Sequence, residues 1–151
     1  MKNQNPSKED PILHHRFCRP VAVSRCVPDD GAFLGVSTQK IADFPKEGIS
    51  PISRRDEILL DFGDHWVGHL TLKIGRVGYQ DSPLRLMLRF AEIPAELTQN
   101  CADYDGWPNS SRFYEETVTV DALPAVVRLP RRYAFRYCRI SVPKSHMAYS
   151  F

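Results

Sequence analysis

Several things are missing from this 151-residue chain, and each absence removes a class of function. No apolar run approaches the roughly 20 residues that a membrane-spanning helix requires. The first ten residues, Met1 to Asp10, contain no apolar core of a secretory signal, so the expected compartment is the cytoplasm. Charge of one sign is also lacking: 20 Lys and Arg against 18 Asp and Glu leave a formal net charge of +2. Without a broad basic field, electrostatically driven nucleic-acid binding has little to work with, and no nucleic-acid or membrane partner is expected.

Cysteine is sparse and unpatterned. Cys18, Cys26, Cys101 and Cys138 form no Cys-x-x-Cys and stand near no histidine pair of zinc-ligand spacing. In a cytoplasmic chain they are reduced thiols, and Cys138, inside an apolar stretch, reads as a small core residue. No stretch carries an amphipathic helix longer than two turns, and no internal repeat is visible.

What is present is a series of short strand-like runs broken by turn residues. The first 16 residues, with Pro6 and Pro11, form an arm; residues 17–142 form one domain, and residues 143–151 a tail. Pro28-Asp29-Asp30-Gly31 signals a turn, followed by a candidate strand over Gly31–Val36. Glu57–Phe62 reads as a short strand ended by Gly63-Asp64. Trp66–Ile74 alternates, with Trp66, Gly68, Leu70, Leu72 and Ile74 on one face. Leu84–Phe90 sets Leu84, Leu86, Leu88 and Phe90 against Arg85, Met87 and Arg89, a pattern with one buried and one largely wet face. Pro94–Gln99 fits one helical turn. Strands follow over Arg112–Asp121, Ala125–Leu129 and Tyr133–Val142. Many short strands with Gly/Pro turns predict an all-β fold, an antiparallel β-sandwich of jelly-roll-like type.

Three segments together carry a family resemblance. Ile58-Leu59-Leu60-Asp61-Phe62-Gly63-Asp64-His65-Trp66-Val67-Gly68 resembles the Leu-Asp-Phe-Gly, then Val-Gly signature of bacterial α-L-rhamnosidase-type glycoside hydrolases. Leu84 to Glu92 resembles the strand that follows it there, and Tyr133-Ala134-Phe135-Arg136-Tyr137 that family's aromatic-x-Phe-Arg-Tyr strand. Order and spacing agree over roughly residues 16 to 142. The resemblance implies a β-sandwich region placed before a catalytic (α/α)₆ barrel, and hence an accessory module whose catalytic carboxylates lie elsewhere. A truncated gene, a frameshifted remnant and a stand-alone sandwich all fit such a chain.

Glycoside hydrolysis needs two carboxylates about 5–5.5 Å or about 6.5–9.5 Å apart. Glu115 and Glu116, adjacent in a strand, leave opposite faces, and Asp61 and Asp64 flank a turn that their own side chains can bond. No catalytic residue is therefore assigned within the chain. The segment Asp103 to Asn109 mixes aromatic planes with polar groups, the combination that holds sugars; Tyr104, Asp105, Trp107 and Asn109 are the candidate carbohydrate-binding residues. The alternative is that Trp107 packs back on the sandwich. The same segment offers oxygens to calcium, but it lacks the glutamate of a calcium loop, and neither metal nor cofactor is expected. Trp66 reads as core. Arg131, Arg132 and Arg136 form a basic cluster whose simplest use is structural ion pairing, with Arg136 facing away from both Phe135 and Tyr137. His65 and His69 on a strand stand too far apart to share a metal. The partners left open are a carbohydrate ligand, a catalytic domain, or a second copy of the chain in a homodimer.

Overall fold

The computed structural model describes residues 15–49, 57–78, 83–98, 114–143 and 149–150. The chain forms two antiparallel sheets. In order they use β1 (Ala22–Pro28), β2 (Val36–Asp43), β3 (Glu57–Gly68), β4 (Thr71–Arg76), β5 (Leu84–Ala91), β6 (Tyr114–Val120), β7 (Ala125–Arg128), β8 (Tyr133–Ser141) and β9 (Tyr149–Ser150). The larger sheet runs β2-β1-β3-β8-β5-β6 and the smaller β7-β4-β9. One short helix, α1 (Pro94–Thr98), follows β5.

The alternation read in the sequence places the core between the sheets. Ile58, Leu60 and Phe62 of β3, Leu84 to Phe90 at even positions of β5, and Tyr133, Phe135, Cys138 and Ile140 of β8 face Leu72 and Ile74 of β4 and Leu70 just before it. Ring stacking closes this layer: Phe90 lies 4.1 Å from Tyr133, nearly parallel, and Phe62 meets Phe135 edge-on at 5.1 Å. Cys138 is fully buried, and burial pushes its thiol up to about 12. It is the small core residue its surroundings suggested.

A second, smaller cluster lies on the other face of the larger sheet. Leu59, Ala91 and Tyr137 pack there under Leu97 of α1, with Cys26 at the margin. The sequence starts this helix clearly. Pro94 occupies its first turn, and Glu96 turns back to accept the amides of Glu92 at 2.7 Å and Ile93 at 3.4 Å. The helix covers what the sequence pattern left wet. Arg89 is only 9 % exposed, donating to Glu115 Oε2 and to the Leu97 carbonyl.

Other boundaries differ from expectation. Gly31–Val36 is not a strand. Asp29 caps the amide of Gly31, a 3₁₀ turn covers Phe33–Gly35, and the strand begins at Val36. β1 and β2 were not anticipated. β3 does not stop at Gly63 but runs on to Gly68 through an irregularity in which Asp61 and Trp66 oppose Tyr137 and Phe135. The turn falls at His69-Leu70 instead. Tyr149–Ser150, in the segment set apart as a tail, pairs with β4. No described helix is long and apolar enough to cross a membrane.

Candidate functional site

The irregular stretch of β3 carries two of the carboxylates weighed above, Asp61 and Asp64. Asp61 is buried, and its Oδ1 accepts the amide of Gly63 at 2.7 Å, an Asx turn in which Gly63 takes φ +78°. The same carboxylate accepts both arms of Arg136, Nε at 3.0 Å and Nη2 at 3.1 Å. That partner raises the Arg136 pKa, and the guanidinium lies over Tyr137 at 5.0 Å. So turn chemistry and ion pairing share one aspartate.

Arg136 does not oppose both its neighbours, as strict alternation required. Phe135 belongs to the core between the sheets and Tyr137 to the cluster under α1. The period slips by one at Arg136-Tyr137, because the irregularity in β3 must be matched across the ladder. The three arginines also separate in purpose. Arg131 pairs with Glu116, Arg136 with Asp61, and no ion pair is shown for Arg132 among the described residues.

Several other acids are engaged in the same way. Asp64 accepts the amide of His65 at 2.8 Å, and His65 Nε2 stands 3.4 Å from Glu92 Oε1. Glu96 caps α1. Glu115 and Glu116 leave opposite faces of β6, as expected: the first meets Arg89, the second Arg131 and the hydroxyl of Tyr133 at 2.9 Å. Hydrogen bonding from Arg131 holds the Glu116 carboxyl below its usual range, with Tyr133 adding to the effect. His69 Nδ1 lies 3.3 Å from the Leu129 carbonyl, so the two histidines serve separate contacts. Trp66 is half-buried against the core, its Nε1 donating to the Phe62 carbonyl, with Arg16 4.9 Å above its ring.

Beside Glu92 and Glu96 lies an open groove of about 260 Å³, lined also by Phe90, Ala91, Tyr114 and Ala134. It exists because β5 ends at Ala91 while β8 continues to Tyr133. Sequence reasoning did not mark Tyr114 as a groove residue, since its place in an alternating strand pointed only to the core. The candidate sugar-binding residues Tyr104, Asp105, Trp107 and Asn109 lie outside the described residues, between Thr98 at the end of α1 and Tyr114 at the groove. Among the described residues, no group of three or more His, Cys, Asp or Glu could hold a metal ion.

Residues 20–151 match the family model of the glycosyl hydrolase family 78 alpha-rhamnosidase N-terminal domain. The chain belongs to that family. A solved rhamnosidase from Klebsiella oxytoca, with rhamnose bound, shares this fold at a TM-score of 0.81 and 31 % identity, covering 89 % of the present chain. The chain spans 27 % of that protein's length. A second solved structure, a glycoside hydrolase at 13 % identity and TM-score 0.39, covers 93 % of this chain and 33 % of its own, too distant a likeness to bear on the fold. No curated protein matches. As an α-rhamnosidase N-terminal domain, the chain has the sandwich that the three quoted segments implied. The Asp61–Arg136 fork joins two of them, β3 and β8.

Proposed function

We propose that the chain is a non-catalytic accessory sandwich of an α-rhamnosidase-type glycoside hydrolase, docking with a catalytic domain and contacting sugar weakly. The observation that carries this reading is the match of residues 20–151 to the N-terminal domain of such enzymes, whose solved relative devotes 27 % of its chain to this part. The geometry agrees with a supporting role. Asp61, the buried carboxylate among the described residues, is committed to an arginine fork and a turn amide within the chain.

The sugar contact falls to Tyr104, Asp105, Trp107 and Asn109. In this reading an aromatic plane stacks on the C–H face of a pyranose, and carboxylate and amide groups fix its hydroxyls. What supports it is the composition of that segment, and the groove that Tyr114, Glu92 and Glu96 line together.

A tryptophan-fluorescence titration with L-rhamnose tests it. A saturable change that Trp107→Ala abolishes, with the circular dichroism unaltered, is the expected result. A flat response across millimolar sugar overturns the sugar contact and leaves a docking module or a gene remnant.

A further inference from the structure

The two sheets present four edge strands among the described residues, β2 and β6 on the larger, β7 and β9 on the smaller. Exposed edges invite pairing with another chain unless something blunts them. Three of the four are blunted. β2 carries Lys40 and a bulge, where Lys40 and Ala42 pair with Ser24 and Val23 and Ile41 is left over. β7 is four residues long and lies between Pro124 and Pro130, and β9 is two residues long. β6 differs. Its seven residues, Tyr-Glu-Glu-Thr-Val-Thr-Val, include no proline, glycine or lysine, and its ladder to β5 runs from Tyr114 to Val120 without a register shift.

Its two glutamates are the one apparent guard, and both are already compensated within the chain. Glu115 is paired with Arg89, and Glu116 with Arg131 and the Tyr133 hydroxyl. The strand is also complementary to itself. In an antiparallel pair of copies centred on Thr117, Thr117 faces Thr117, Glu116 faces Val118, Glu115 faces Thr119 and Tyr114 faces Val120. No two like charges stand directly opposed, and the threonine pair at the centre is a favourable cross-strand contact.

We propose that β6 is a homodimerisation edge, through which two copies join their larger sheets in a continuous antiparallel sheet with Thr117 on the two-fold axis. The partner is a second copy, because this register matches every residue of the strand and opposes no charges.

Sedimentation velocity at tens of micromolar tests the assembly. The wild type is expected at twice the 17.3 kDa chain mass. Thr117→Lys sets two ammonium groups face to face and is expected to raise the dimer Kd by about tenfold or more, while its circular dichroism stays native. A cysteine pair reads the register independently. Opposed Cα atoms in such a ladder lie about 4.5–5.5 Å apart, within disulfide range. In a background where Cys18, Cys26 and Cys101 are serine, Thr117→Cys is expected to crosslink on mild oxidation and Thr119→Cys is not. A wild-type protein that stays monomeric at all concentrations overturns the proposal. So does a dimer whose mass ignores Thr117→Lys, or one that crosslinks through Thr119→Cys and not Thr117→Cys.

Discussion

Arg136 holds Asp61 with both arms of its guanidinium, at 3.0 and 3.1 Å, across the irregular part of the β3–β8 ladder. The contact does what regular pairing does elsewhere. Between Asp61 and Trp66 the two strands lose register, and the fork spans the gap while the Gly63 amide fills the remaining lone pair of Oδ1.

Removing the guanidinium leaves a buried carboxylate with only the Gly63 amide. Arg136→Ala is expected to cost about 2–3 kcal/mol in urea denaturation, below the full value for a buried pair because Arg136 is itself 40 % exposed. Arg136→Lys keeps the charge but not the fork, and should recover less than half of the loss. An Arg136→Ala protein as stable as the wild type would show that the pair is ornamental.

Arg89 ties α1 to the sheet. Its guanidinium is covered by the helix, meets Glu115, and donates to the Leu97 carbonyl at 3.3 Å. Arg139 stands directly opposite it in the ladder, a like-charge pair offset by Glu115 on one side and Glu57 on the other. Arg89→Ala is expected to cost about 3 kcal/mol and to expose the cluster under α1. Thermal unfolding measures the first, and faster alkylation of Cys26, at the margin of that cluster, the second.

Glu116 makes stability depend on pH. Its carboxyl is held below 4.5, chiefly by the hydrogen bond from Arg131. A depressed carboxylate contributes stability that is present above the unfolded pKa and is lost as pH falls through the folded one. The stability difference between wild type and Glu116→Gln is therefore expected to be full at pH 7 and to shrink below pH 4.5. Solvent screens this partly exposed pair, so the full difference is about 1 kcal/mol or less. Denaturation midpoints at pH 7 and pH 3.5 decide it; a constant difference would remove the ion pair from the account.

Which parts of the fold the sequence revealed follows from where its patterns meet the core. β5 and β6 alternate in sequence because their even positions face the layer between the sheets, and Pro94–Gln99 read as one helical turn. β2 buries no residue at all, so it has no pattern to read, and β1 interrupts its apolar positions with Ser24 and Arg25. In β8 the slip at Arg136-Tyr137 is hidden because apolar and aromatic side chains serve both faces: Tyr137 is buried on one, Phe135 and Cys138 on the other. Arg89 looked solvated because a five-residue helix was not expected to cover it. The Asp61–Arg136 contact joins residues 75 apart, beyond any local pattern, although both lie in segments that carried the family resemblance.

The measurement closest to the central claim is hydrolysis of an aryl α-L-rhamnoside by the purified chain. If the chain is the accessory sandwich proposed, with Glu92 engaged by His65 and Glu96 by the start of α1, it is expected to release no aryl alcohol above the buffer blank at any protein concentration. Turnover that scales with protein and disappears with Glu92→Gln or Glu96→Gln, the two acids lining the groove, would contradict it and make this chain an enzyme in its own right.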